Sequence, residues 1–217
     1  MATEIGSYQC MVAITVSTNY SDLLPIVYSN NKAFFKHWVF VTAKEDSATI
    51  KFLSDKPEVT ILYWDFQNQM RVFDKGGAIC HAQAYTYEKF PDDWYLLLDS
   101  DICLPPIFSR FLNEAISQLN VEAIYGLNDR MDFETMSDFL SFKNYKLHKH
   151  KNHLYGYFQL YRKKFFYSSS RNASRCDAEF VEYFSKIILI HNVPCAHLGG
   201  LSHWNGNRQI GCDFNLG

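Results

Sequence analysis

Short apolar segments alternate with amphipathic segments along the first half of the chain. Four apolar segments are rich in β-branched and aromatic residues and predict strands, at 11–16, 38–41, 59–63 and 95–98. Segments with apolar residues at helical spacing follow three of these strands. They predict one helix after Ser21-Asp22, a second at 74–90 and a third at 105–119. Repeated strand-then-helix units of this kind predict an α/β fold with a largely parallel sheet.

The second half of the chain is less regular. Residues 127–153 are polar, and their end, 143–153, holds four lysines and three histidines. A solvated, mobile face is the main interpretation of that end, and a site for an acidic acceptor or a phosphate is the alternative. Beyond it, the pattern predicts strands at 154–161, 187–190 and 193–197 and a helix at 178–185. We expect one domain over 1–217, which could be part of a longer protein.

Composition excludes several classes of protein. The 217 residues are 47% hydrophobic and carry a formal net charge of -2, which argues against a dedicated nucleic-acid binder. No segment approaches the roughly 18 apolar residues of a membrane span, and the N-terminus does not resemble a signal peptide. The six cysteines are scattered without a Cys-x-x-Cys pair, so we expect free thiols and a cytoplasmic protein.

The end of the fourth predicted strand carries two acidic side chains. Ligands of open α/β sheets bind at the carboxyl ends of the strands, and Asp99 and Asp101 follow strand 95–98. Residues at i and i+2 of an extended chain project to the same side, so both carboxylates aim at one point. This pair suits Mg²⁺ or Mn²⁺, which would neutralise a substrate diphosphate. The alternative is that Asp101 caps the helix at 105–119 and Asp99 merely ends a strand.

Segment 95–101 resembles the Asp-x-Asp strand of the GT-A nucleotide-sugar glycosyltransferases. Six further segments resemble blocks of that family in the same order: 15–20, 41–46, 74–78, 156–160, 176–180 and 197–200. The likeness covers about residues 10–206 and extends to the small glycosyltransferase domains encoded by chlorella viruses. It implies a GT-A, Rossmann-like fold, a mostly parallel twisted sheet flanked by helices. About residues 10–126 would bind the nucleotide sugar, and a smaller, irregular acceptor-side half would span about 127–217.

The resemblance implies transfer of a hexose or 6-deoxyhexose, such as glucose or rhamnose, from a UDP-sugar to a hydroxyl of a glycan or glycoconjugate acceptor. It places this activity in the host cytoplasm if the protein is viral, with no nucleic-acid partner and no membrane span. The cofactor would be Mn²⁺ (or Mg²⁺), held by Asp99, Asp101 and His197. The alternative for His197 is a strand-end histidine bonded to the backbone.

Nucleotide contacts are also implied by the resemblance. They are Thr15, Thr18 and Asn19 after the first strand, Thr42 and Asp46 near the base, Arg71, Lys75 and Gly76 near the diphosphate, Asp99 and Ser100 in the acidic motif, and Trp204 in a flap. For the glycines of Lys75-Gly76-Gly77, a tight turn is an equal alternative to anion binding.

The base of an inverting transfer would be Asp177, at the family's position, or Glu179. In a helix these two side chains point to different faces, so only one can reach the site. The alternative for Asp177 is a capping box, Ser174-x-x-Asp177, at the start of the 178–185 helix. A retaining reaction needs neither residue as a base.

Two other functions remain open. A nucleotidyltransferase that makes nucleotide sugars would need a glycine-rich loop after the first strand, and residues 15–20 contain no glycine. A non-catalytic nucleotide- or sugar-binding module would lack a metal ligand or a base, and all of these are nominally present. Fold alone does not separate the three functions, because function depends on the site.

Overall fold

A computed structural model describes residues 10–66, 73–150, 154–168, 173–199 and 214. The strands are β1 (Met11–Val16), β2 (His37–Thr42), β3 (Val59–Tyr63), β4 (Trp94–Leu98), β5 (Ile102–Cys103), β6 (Ala123–Leu127), β7 (Asp129–Phe133), β8 (Lys146–Lys149), β9 (Phe158–Tyr161), β10 (Lys186–Ile190) and β11 (Cys195–Leu198). The α-helices are α1 (Leu24–Asn31), α2 (Ser47–Leu53), α3 (Lys75–Lys89), α4 (Ile107–Ala115), α5 (Met136–Ser141) and α6 (Ala173–Val181).

Seven strands form the main sheet, in the order β10-β6-β9-β4-β1-β2-β3. Every neighbouring pair is parallel except those of β9, which runs antiparallel to β4 and β6. Met11 and Ala13 of β1 pack into one buried apolar cluster, and Val12 and Ile14 pack into another on the opposite face. Both faces of the central strands are therefore covered, as parallel sheets require. The predicted α/β fold with a mostly parallel sheet flanked by helices is confirmed.

A second sheet of four strands, β5-β11-β7-β8, lies where the sequence pattern looks irregular. The expectation of irregular structure is wrong for β7 and β8, which pair antiparallel with Met131 opposite Leu147. These strands lack an apolar alternation because their polar side chains bond to one another: Arg130 Nε donates to Asp132 Oδ1 at 2.8 Å. Residues 146–149 are mostly exposed, as expected of a solvated face, but they form a strand and not a loop.

Several element boundaries differ from the prediction. Helix α6 begins at Ala173 instead of residue 178, and β9 begins at Phe158 instead of residue 154. Helix α2 and strand β6 were not predicted. The α-helical part of 105–119 ends at Ala115 and continues as a short 3-10 helix. These are the shorter elements, for which periodicity is the weakest signal.

Two expectations about the whole chain can be examined within the described ranges. No helix there is both long enough and apolar enough to span a bilayer. The five cysteines within those ranges are all free thiols, as predicted.

Candidate active site

The candidate site forms where the carboxyl ends of β4, β1 and β2 lie side by side in the main sheet. The antiparallel β9 brings its amino end to the same edge, because Asp99 N–H donates to the Tyr157 carbonyl at 3.1 Å. Ser100 Oγ donates to the Val16 carbonyl at 2.6 Å and joins the ends of β4 and β1. The loops after β1, β2 and β4 and the loop before β9 therefore meet at one edge, the usual ligand position in an open α/β sheet.

A largely buried ammonium group, on a lysine whose side chain is 15% exposed, lies at the centre of this edge. Lys75, in the first turn of α3, places Nζ 3.1 Å from Asp99 Oδ1 and 3.2 Å from Asp177 Oδ2. Burial opposes the charge, but Asp177 and Asp99 together hold the pKa of Lys75 well above its ordinary value. Burial raises the pKa of Asp99 to about 6 in spite of the lysine. Lys75 is therefore a charged group shared by two carboxylates.

Asp177 is held by three neighbours. Besides its contact with Lys75, it accepts a hydrogen bond from the Tyr167 hydroxyl at 3.1 Å. Its carboxylate also lies against Gly156, where an added Cβ would stand 1.9 Å from Oδ2. The capping-box interpretation of Asp177 is wrong, because α6 begins four residues earlier at Ala173.

Glu179 faces elsewhere. It accepts a hydrogen bond from Ser168 Oγ at 2.8 Å, so of the two predicted bases only Asp177 contacts Lys75. The different directions of the two side chains are as expected for positions i and i+2 of a helix. The role of either residue as a base stays a prediction.

Asp101 contacts a different set of partners. His197 Nε2 lies 3.4 Å from Asp101 Oδ2, and His197 Nδ1 lies 3.1 Å from Asp132 Oδ1. Burial lowers the pKa of His197, but Asp101 and Asp132 outweigh it and raise that pKa to about 9. The imidazole is thus a cation between two carboxylates, and the alternative of a histidine bonded to backbone is wrong. Helix α4 has no side-chain cap, so the capping interpretation of Asp101 is wrong too.

Sequence reasoning missed Asp132. It also lies 2.9 Å from His148 Nε2 and accepts from Arg130, and it belongs to a segment whose polar pattern gave no strand signal. Burial raises the pKa of Asp132, but His197 and Arg130 lower it to about 2 overall. This carboxylate anchors the histidine that faces Asp101.

The predicted metal site depends on which side chains could act as ligands. Among the residues that the structure describes, no three or more His, Cys, Asp or Glu side chains are arranged to hold a metal ion. Mg²⁺ in nucleotide sites is commonly bound by one or two carboxylates together with substrate phosphates and water. Asp99 and Asp101, at the open edge of the sheet, provide such a pair. The predicted ligand set of Asp99, Asp101 and His197 stays a prediction.

The loop after β1 has unused polar atoms. Ser17 Oγ and Thr18 Oγ1 are buried and have no hydrogen-bond partner among the described residues. Asn19 adopts the left-handed conformation, with φ of 62°, and its N–H donates to Asp46 Oδ2 at 2.9 Å. The same carboxylate caps α2 by accepting from Thr49 N–H at 3.1 Å. The loop is thus anchored while two hydroxyls stay available; Ser17, within the singled-out segment 15–20, was missed as a candidate.

Three other predicted nucleotide contacts already serve the fold. Thr15 Oγ1 accepts from the Trp38 indole at 2.9 Å inside the core. Ser100 bonds to Val16, and the buried Thr42 hydroxyl donates at 3.4 Å to the carboxylate that caps α2. Contacts of these hydroxyls with a nucleotide stay predictions.

The start of α3 is determined by packing. Asp74 caps the helix by accepting from Gly77 N–H at 3.1 Å. Gly76 is buried, and an added Cβ would stand 2.1 Å from the Ser168 carbonyl oxygen. Close packing therefore accounts for Gly76 without a ligand. The predicted contacts Arg71 and Trp204 lie outside the described residues.

No protein-family model matches the chain, and no curated protein matches it in sequence. Solved structures share its fold. The inositol-1-phosphate CTP transferase of T. maritima is 12% identical with a TM-score of 0.49, covering 86% of this chain and 88% of its own. A 4-diphosphocytidyl-2C-methyl-D-erythritol synthase is 17% identical with a TM-score of 0.47, covering 90% and 91%. A Bacillus anthracis protein assigned as a glucose-1-phosphate thymidylyltransferase is 11% identical with a TM-score of 0.47, covering 83% and 86%.

These names correct the main functional prediction. They correspond to the nucleotidyltransferase alternative, so the prediction of a UDP-sugar glycosyltransferase is wrong. The identities and scores are too low to carry any substrate over to this chain. The resemblance to a chlorella-virus glycosyltransferase domain stays untested.

Proposed function

We propose that the chain is a nucleotidyltransferase, which moves a nucleotidyl group from a nucleoside triphosphate to the phosphate of a small sugar or polyol phosphate. The observation that carries the proposal is the largely buried Lys75 ammonium at the carboxyl edge of β1 and β4. The unpartnered hydroxyls of Ser17 and Thr18 lie after β1 at the same edge. A cation and hydroxyl donors at such an edge suit the oxygens of a polyphosphate.

The proposed reaction needs no protein base. An oxygen of the acceptor phosphate forms a bond to the α-phosphorus, and the bond from that phosphorus to the bridging oxygen of the β-phosphate breaks. Pyrophosphate leaves with the electron pair of that bond. Because the attacking phosphate is already an anion, no proton has to be removed. A reaction without a protein base is consistent with Asp177, because its carboxylate is already engaged by Lys75 and Tyr167.

The missing glycine does not exclude this function. The argument against a nucleotidyltransferase was that residues 15–20 contain no glycine. A glycine is needed in such a loop chiefly where the backbone has positive φ. Asn19 supplies that conformation with φ of 62°, and Asn is among the residues that tolerate it.

A divalent cation fits the charge of the edge. Asp99 and Asp177 place two carboxylates on one lysine, Asp101 faces His197 two residues beyond Asp99, and a bound triphosphate would add further negative charge. Mg²⁺ or Mn²⁺ held by Asp99 and Asp101 would supply positive charge beside the phosphates.

The test is pyrophosphate release from each nucleoside triphosphate in the presence of Mg²⁺ and a panel of sugar and polyol phosphates. We expect release only with a matching pair, and loss of release in Lys75→Met. Lys89→Met is the matched control, since Lys89 ends the same helix, is exposed, and pairs with Glu88.

Calorimetric titration of the nucleotides separates the possible failures. Nucleotide binding without pyrophosphate release from any pair would indicate a binding module and overturn the enzymatic proposal. Absence of nucleotide binding, with and without Mg²⁺, would overturn the nucleotide site itself.

A further inference from the structure

Four large apolar side chains protrude between the end of α5 and β8. Leu140 is 75% exposed, Phe142 57%, Leu147 47% and Tyr145 39%. We call these four residues the apolar tip. Scattered apolar side chains are normal on a protein surface, whereas a contiguous apolar patch marks an interaction site. Within the tip, the rings of Phe142 and Tyr145 contact each other.

The apolar tip rests on a fixed base. The ring centroids of Phe142 and Tyr145 lie 5.3 Å apart. Both rings also contact the buried ring of Phe133, with centroid distances of 5.9 Å for Phe142 and 5.5 Å for Tyr145. Phe142 adopts the left-handed conformation at the end of α5, with φ of 54°, which is rare for a bulky residue. Leu147 follows Tyr145 by two residues and so projects to the same side of the extended chain.

Basic residues predominate around the apolar tip, although the register of β7 and β8 sets Lys146 opposite Asp132 and Lys149 opposite Asp129. Lys143, Lys146 and Lys149 are exposed and alternate with the apolar residues. From 139 to 176 the sequence holds nine lysines and arginines and no aspartate or glutamate, although the whole chain has a net charge of -2. Asp138, which precedes this stretch, accepts hydrogen bonds from Thr135 and Asn144.

We propose that the apolar tip docks on the surface of an anionic lipid bilayer. Leucine and aromatic side chains would enter the boundary between headgroups and acyl chains, while the three lysines reach the lipid phosphates. A nucleic acid would use the lysines but leave both leucines in water. The proposal is independent of the proposed nucleotidyl transfer, since none of these residues belongs to the sheet edge around Lys75.

Co-sedimentation of the full chain with vesicles tests the proposal. We compare phosphatidylcholine alone with phosphatidylcholine and phosphatidylserine at about 2:1, at low and high salt. We expect binding to the anionic vesicles only, weakened by salt. K143Q/K146Q/K149Q should lower the partition constant about a hundredfold, and Leu140→Ser about tenfold. Leu140 is the most exposed of the four, so this variant should fold normally.

Two control variants change exposed residues that lie outside the apolar tip. Ile187→Ser removes an apolar side chain that is 49% exposed on the edge strand β10. K51Q/K89Q/K186Q removes three exposed lysines outside the basic stretch 139–176. Both controls should bind the anionic vesicles like the unaltered chain. No binding to these vesicles, or equal losses in the control and tip variants, would overturn the proposal, as would binding only to nucleic acid.

Discussion

Gly156→Ala should disrupt the site through a single added methyl group. That Cβ would stand 1.9 Å from Asp177 Oδ2, 2.1 Å from its Cγ and 2.7 Å from its Cβ. The whole Asp177 side chain must therefore move, and its contacts with Lys75 at 3.2 Å and with Tyr167 at 3.1 Å are lost. Gly156 is not among the described residues with positive φ, so alanine brings no backbone strain of its own.

The expected loss in the free energy of unfolding has two contributions, overpacking and a broken ion pair. Overpacking of a tight site costs about 1–3 kcal/mol. Breaking a buried ion pair costs about 3–5 kcal/mol when a charge is left alone, but here Lys75 retains Asp99, so the lower part of that range applies. Because the two terms overlap, we expect a loss of about 3 kcal/mol in the free energy of unfolding. For a chain of this size that corresponds to a fall in Tm of roughly 6–12 °C.

Urea and thermal unfolding of Gly156→Ala measure this loss. Gly126→Ala is the matched control, since its added Cβ would meet only the side chain of Leu154, at 2.6 Å, and no charged group. In an Asp177→Ala background, Gly156→Ala should cost at least 1 kcal/mol less, by a double-mutant cycle. A total loss below about 1 kcal/mol, or an equal loss in both backgrounds, would refute the proposed clash with Asp177.

Three further predictions concern single side chains. Lys75→Met should lower the free energy of unfolding by about 3 kcal/mol at pH 7, and by less as the pH falls towards about 6, because Asp99 without the lysine takes up its proton above that pH; a pH-independent loss in urea unfolding would contradict this. Burial holds the pKa of His150 at about 4, below its ordinary value of 6.5. The unfolded chain therefore binds the extra proton, and stability should fall between pH 6.5 and 4 by at most about 1.4 kcal/mol per pH unit; a His150→Phe curve as steep as the original would contradict this. Asp74→Ala should cost about 1 kcal/mol by removing the cap of α3, whereas Asp74→Asn should cost much less; equal losses would assign the effect to something other than the cap.

The main sheet could be predicted because its signals are local. Strands β1 and β4 are apolar on both faces, and α3 combines an acidic cap at Asp74 with a helical apolar stripe. Strands β7 and β8 could not, because their polar side chains pair with one another: Arg130 with Asp132 along β7, and His148 of β8 with Asp132. A pattern of polar residues does not reveal whether their partners are protein atoms or water.

The residues of the candidate site could be predicted from the sequence, but the contacts between them could not. Asp99 was singled out from the end of its strand, Lys75 from the start of its helix, and Asp177 from the position that the family resemblance gives it. The contact between Lys75 and Asp177 joins residues 102 positions apart, and no spacing rule connects them. Tyr167, which bonds to Asp177, carries no sequence signal of its own, and segment 156–160 was singled out without any sign that Gly156 packs against Asp177.

The two acidic residues of the Asp-x-Asp motif connect two separate networks. Asp99 pairs with Lys75 on the main sheet, whereas Asp101 pairs with His197, which Asp132 holds on the second sheet. The carboxylates are close enough for Asp101 to raise the pKa of Asp99, after burial and the opposing effect of Lys75. A ligand that draws both carboxylates towards one cation must therefore loosen both pairs together. The second sheet is then coupled to the main sheet through one two-residue step, and the partly buried Asp132, which pairs with Arg130 and His197, takes part in that coupling.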